Sequence, residues 1–156
     1  MLGSIAGRFE EDPVPPAERA VLEANNQFYQ AMSEQNLDAM EAVWLPTEWA
    51  QCVHPGWTVL HGWKAIRESW AGILRNPATL SVTIDDVHVR VAGDVAWVTC
   101  TERVSALSSN QLDTSLAQAT NVFVALGGGW RLVVHHASAV ALAEPGAWTA
   151  DSESVH

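Results

Sequence analysis

Apolar positions from Ala17 onward recur at three- and four-residue steps. Val21, Leu22, Phe28, Tyr29 and Met32 form one stripe, with Asn25 inside it. This spacing predicts an amphipathic helix, ending near Gln35-Asn36, where Asn tolerates the left-handed backbone of a helix end. Leu37, Met40, Val43 and Trp44 share one side of a short second helix, closed by Pro46. Trp49–His54 reads as a short strand stopped by Pro55-Gly56. A third helix follows over Gly62–Arg75, with Trp63, Ile66, Trp70, Ile73 and Leu74 on one face and Asn76-Pro77 at its end.

Beyond Pro77 the period drops from 3.6 to 2. Leu80, Val82 and Ile84 alternate with Ser81 and Thr83. Asp85-Asp86 breaks the phase, and Val87, Val89 and Val91 resume it on the other parity, as a β-bulge would leave it. Three more strands follow, at Val95–Leu107, Leu112–Leu126 and Trp130–Ala141. They are separated by turns at Ala92-Gly93-Asp94, Ser108-Ser109-Asn110 and Gly127-Gly128-Gly129. Helices segregated from hairpin-linked strands define an α+β class. Long bulged strands must bend, so three N-terminal helices are expected to pack on a strongly curved antiparallel sheet, forming a cone with an internal pocket. The expected domain covers 17–142, with a loosely ordered leader at 1–16 and a loose tail at 143–156.

Charge narrows the partners. Eight Lys and Arg against eighteen Asp and Glu give a net charge of −10. That balance disfavours nucleic acid and anionic membrane surfaces. Cys52 and Cys100 lie in no CxxC motif and are expected to be buried free thiols. The first residues, MLGSIAGRFEEDPVPP, do not read as a signal peptide. No stretch approaches the ~20 apolar residues of a membrane helix, and a cytoplasmic location is expected.

Candidate chemistry starts with His54, a strand-end imidazole beside Trp57. Its ordinary pKa near ~6.5 suits proton transfer at neutral pH; the alternative is a histidine that shapes the turn. Asn121 shares a side with Ala119 and Phe123. Its amide is able either to hold a substrate carbonyl or to satisfy a neighbouring strand. His135 and His136 are adjacent, so on a strand they face opposite ways. Glu102 shares parity with Val98 and Cys100, which puts a carboxylate inside a pocket or, alternatively, on a solvated or dimer-facing side. Trp57, Trp70 and Trp97 are expected to line the mouth and floor. The histidines show no HxxxH or HExxH spacing, so no metal site is expected.

Four motifs carry a family resemblance: HPGW at His54–Trp57, LHGWKAIRESW at Leu60–Trp70, GDVAWVT at Gly93–Thr99 and GGWRLVVHHAS at Gly128–Ser138. Together, over residues 17–141, the chain resembles the SnoaL-like branch of the nuclear transport factor 2-like superfamily. That superfold hosts isomerases, cyclases, hydrolases, dehydratases and non-catalytic association domains. Set beside its ketosteroid isomerases, the resemblance implies a base at His54, where the family has an Asp before proline. It implies a hydrogen-bond donor at Asn121, where the family has a second Asp. The family's tyrosine falls at Phe28, which has no hydroxyl and is left as a lining residue, while Tyr29 is expected to point elsewhere. The SnoaL-like pattern implies that His136, in phase with Ser138, faces the pocket and that His135 does not.

The implied function is cofactor-independent acid–base proton transfer next to a carbonyl, of isomerase or cyclase type, on a small hydrophobic molecule. The alternative is a non-catalytic hydrophobic-ligand-binding or self-association domain. A homodimer through the sheet is implied in either case, with Val95, Val104, Val124 and Val133 as candidates for its outer face.

Overall fold

The computed structural model describes residues 14–141; the expected loose leader and tail fall almost wholly outside the described residues. Helix α1 spans Pro16–Ser33 and begins with proline, whose missing N–H is not needed at a helix start. Its buried stripe follows the predicted one at Val21, Asn25, Phe28, Tyr29 and Met32, widened by Ala24 and Ala31, while Leu22 is only half-buried. Gln35, not Asn36, takes the left-handed backbone after α1, at φ 53°. Asn36 instead caps α2 (Leu37–Val43), its side chain accepting the Ala39 N–H at 3.0 Å. Helix α3 spans Trp63–Leu74. It starts after Gly62 at φ 84°, where a side chain would be strained and would also press on the Glu48 carbonyl.

Six strands form one sheet: β1 (Gln51–Val53), β2 (Leu60–His61), β3 (Thr79–Ala92), β4 (Val95–Ser108), β5 (Gln111–Leu126) and β6 (Gly129–Val140). Their order is β2-β1-β6-β5-β4-β3. The four long strands form the expected antiparallel meander. The expectation of a wholly antiparallel sheet is corrected: β1 runs parallel to β6, so the sheet is mixed, and it stays open. Only 51–53 of the predicted first strand pair, and two-residue β2, too short to show a period, closes against β1.

Two bulges set which residues face inward. In β3 the pairing jumps from Asp85↔Thr101 to His88↔Thr99, with Asp86 at φ 52°. This is the slip read from the sequence. The second, which no phase break in the hydrophobic pattern announced, lies in β6. Pairing jumps from Val122↔Val134 to Phe123↔Leu132, leaving Val133 as the extra residue. The inward parity therefore switches from Leu132 to His135 and Ala137.

Strand β3 is an edge with exposed backbone to satisfy. Ser33 of α1 does part of this, accepting the Val82 N–H at 3.1 Å and donating to its carbonyl at 3.2 Å. The core lies between the helices and the sheet's inner face. Small inward residues, Ala96, Ala117, Ala119 and Ala137, leave room for the aromatics of α1 and α3. Phe28 sits edge-on to Tyr29, Trp44 and Trp70 at centroid distances of 4.8, 6.3 and 5.6 Å. Such pairs add about 0.5–1.5 kcal/mol each beyond burial.

Candidate functional site

A cleft of about 310 Å³ opens where β1 ends, between α1, α3 and the inner sheet face. Met32, Trp57, Trp70, Ile73, Leu80 and Val104 supply apolar wall. Three titratable side chains line it: His54, Glu102 and His135, all buried, at 4%, 3% and 1% exposure. They come from three strands or strand ends brought together by register. Cys52 pairs with His135 across the parallel β1–β6 contact, so the end of β1 delivers His54 beside it, with ring centroids 6.5 Å apart.

Behind the cleft wall runs a chain of hydrogen bonds whose directions are fixed by counting donors. Asn121 Nδ2 donates to Asn25 Oδ1 at 2.9 Å and to the Tyr29 hydroxyl at 3.0 Å. Tyr29 in turn donates to Glu102 Oε2 at 2.7 Å, with the Cys100 thiol 3.3 Å away. Asn121 Oδ1 can only accept, so His135 Nδ1, 2.6 Å away, must carry a proton. A neutral His135 therefore presents a bare Nε2, which lies 3.8 Å from Glu102 Oε2. Among the described residues, neither that Nε2 nor Glu102 Oε1 has a hydrogen-bond partner.

Burial favours the neutral form of each group. It pulls His135 down to about 3, helped by repulsion from His54 and His136, and His54 down to about 4. It pushes the Glu102 carboxyl up toward its neutral form, against the opposing pull of the Tyr29 hydrogen bond. The thiols rise to about 12 for Cys52 and about 11 for Cys100, and Tyr29 also rises, chiefly through burial. With Oε2 accepting from Tyr29, a neutral Glu102 carries its proton on Oε1. The site then offers one donor, Glu102, beside one acceptor, His135.

His54 is held differently. Ser69 Oγ gives its own proton to the Ile66 carbonyl at 2.7 Å, so it accepts from His54 Nε2 at 2.9 Å. The Cys52 thiol also lies nearer that nitrogen, 3.7 Å from Nε2 and 4.0 Å from Nδ1. Trp57 and Trp70 flank the ring edge-on, both at 4.8 Å. Trp70 also keeps an indole N–H with no partner among the described residues.

Of the residues singled out in the sequence, His54, Glu102, Trp57 and Trp70 meet at this cleft. Phe28 and Asn121 lie behind it: Phe28 packs on the His135 ring at 4.8 Å, and both Asn121 N–H groups are already committed. Four expectations are corrected. His136 and Ser138 face outward and are exposed, because the Val133 bulge shifts the parity of β6 and turns His135 inward instead. Trp97 stands on the outer face, 39% exposed, since the even positions of β4 face the core. Of the four valines expected on that face, Val104 lines the cleft and Val133 is buried. Tyr29, expected to point away, is the centre of the polar chain. The signal was available: Asn25 and Tyr29, four apart in an otherwise apolar stripe, put two polar groups on the core side of one helix.

Comparisons with known proteins agree with this architecture. A candidate dehydratase of the NTF2-like family from Streptomyces avermitilis superposes with a TM-score of 0.75 and 37% identity, covering 80% of this chain and 96% of that one. A candidate calcium/calmodulin-dependent protein kinase type II association domain from Thiobacillus denitrificans gives 0.67 and 28%, covering 83% and 100%. The F-box protein SKIP8 of Arabidopsis thaliana is 27% identical over 120 residues, 77% of this chain, which spans about half the length of that curated relative (49%). The model of the SnoaL-like domain matches residues 21–143, and the chain belongs to that family.

Proposed function

We propose that the cleft binds a small, largely apolar molecule and moves a proton next to its carbonyl without an organic cofactor. The observation that carries this is the donor–acceptor pair at its floor. Glu102 donates to the carbonyl oxygen while His135 Nε2 takes the proton from the adjacent carbon, giving an enol. A base whose pKa rests at about 3 is weak on its own. Its strength grows during the step: as Glu102 gives up its proton, a carboxylate appears 3.8 Å from the new imidazolium and stabilises it. The two groups thus titrate as a unit. Returning the proton to the same carbon reverses the step; returning it elsewhere isomerises the molecule. The likeness to a candidate dehydratase is compatible with such acid–base chemistry.

The test is exchange. Purified protein in deuterated buffer should speed deuterium uptake at the carbon next to the carbonyl of bicyclic ketones sized to the cleft. Uptake at the buffer rate for ketones shown to bind would leave a binding site without catalysis.

A second reading, self-association, has its own observation. Trp97 pairs in register with Val122, and Val122 with Val134, forming one row across the outer face beside exposed Val95 and its partner Val124. An exposed indole in an apolar row suits an interface core, and the likeness to a kinase association domain fits it. Sedimentation should show a dimer that Trp97→Glu splits into monomers. A monomer in the unaltered protein rejects this reading and leaves the cleft chemistry untouched.

A further inference from the structure

We infer that the cleft selects uncharged ligands carrying a hydroxyl and rejects carboxylates and phosphates. The inference rests on the donor and acceptor roles assigned above to Glu102 and His135, and adds the class of molecule they accept.

No Lys or Arg lines the cleft among the described residues. An anion entering it would lose water and meet no cation, only the Glu102 carboxyl. The chain's net charge of −10 adds a repulsive field outside.

In the neutral form that burial favours, Glu102 has a proton to give on Oε1, while His135 Nε2 has only a lone pair. A hydroxyl both accepts and donates, so one oxygen seated between them satisfies both. Glu102 Oε2 lies 3.8 Å from His135 Nε2, so the carboxyl group and the imidazole edge are close enough to share one small polar group. A carboxylate only accepts, so it leaves His135 Nε2 facing an oxygen lone pair. An ammonium only donates, so it can reach His135 Nε2 but leaves the Glu102 O–H without an acceptor. The apolar wall of Trp57, Trp70 and Val104 suits a flat hydrocarbon body attached to that hydroxyl.

Three near-isosteric probes separate the outcomes by calorimetry at neutral pH: 2-naphthalenemethanol, 2-naphthoate and 2-naphthylmethylamine. The alcohol should bind at least about tenfold tighter than either ion, a gap of about 1.4 kcal/mol. Substituting His135→Phe should erase that preference. Ser115→Arg, an exposed change at the cleft's rim, should raise naphthoate affinity and leave the alcohol's unchanged. Naphthoate binding as tightly as the alcohol overturns the inference, as does the absence of alcohol binding. Tighter binding of the amine overturns it too and makes Glu102 a standing counter-charge. Because these readouts are equilibrium affinities, they separate from the exchange test. Alcohol preference without deuterium uptake sinks the catalytic reading alone, and uptake without alcohol preference sinks this inference alone.

Discussion

Glu102→Gln leaves the fold intact and lowers proton transfer by about 10²–10⁴-fold. Burial already drives this carboxyl toward its neutral form, so removing its ability to ionise disturbs the resting protein little. Glutamine keeps an oxygen to accept from Tyr29 and places an N–H where the acid O–H stood. That N–H can still hold a carbonyl oxygen, so binding survives. It cannot hand its proton over, and it cannot become the anion that supports an imidazolium at His135. The expected signature is a fall in kcat with KM little changed. His54→Gln is the contrasting variant. Nε2 of His54 is engaged by Ser69, with the Cys52 thiol 3.7 Å away, and it is His135 that faces Glu102, so loss of His54 should cost no more than about tenfold, through wall shape. If His54→Gln proves as damaging as Glu102→Gln, the base is His54, the residue the strand-end motif pointed to.

Acid should loosen the protein well before its carboxylates are exhausted. His54 and His135 sit at about 4 and about 3, against 6.5 for the free side chain. Between those limits the unfolded chain binds more protons than the folded one. Stability therefore falls with falling pH, by roughly 1.4 kcal/mol per pH unit for each histidine. Glu102 works the other way: its raised folded pKa means its contribution is complete below the ordinary 4.5 and fades as pH rises through the folded value. Above 4.5, up to its folded value, it offsets part of the histidine loss. Below 4.5 its contribution no longer changes, and the decline steepens. Urea midpoints read from about pH 7 down to about pH 4 should trace this two-slope curve, and His54→Phe should flatten it. A midpoint that holds constant across the range would mean these imidazoles are hydrated.

Much of this was legible in the chain because periodicity reports burial directly. The α1 stripe, the α3 face and the phase slip at Asp85-Asp86 each became a structural feature at the expected place. The α+β class followed from element order alone. The parallel pairing of β1 with β6 was not legible, since three residues carry no directional signal. The site was half legible. Glu102 and His54 fell where parity and the strand end put them, whereas the choice between His135 and His136 did not. That choice depends on a bulge among Leu132, Val133 and Val134, three aliphatic residues in a row, where no polar position marks the phase. Asn121 was placed on the correct face. Its role as an internal brace, instead of a substrate donor, depends on Asn25 and Tyr29, which are distant in sequence and meet it only in the folded chain.

The bulge at Val133 decides which of two adjacent histidines reaches the cleft. Paired without it, the same residues would turn Val134, His136 and Ser138 inward and put His135 on the outer face. Loss of Val133 itself would leave Val134 opposite Val122 and His135 opposite Asn121, so a strand one residue shorter keeps the same histidine inside. A pair of neighbouring histidines in a last strand is thus assigned correctly only with the register of the adjoining strand in hand.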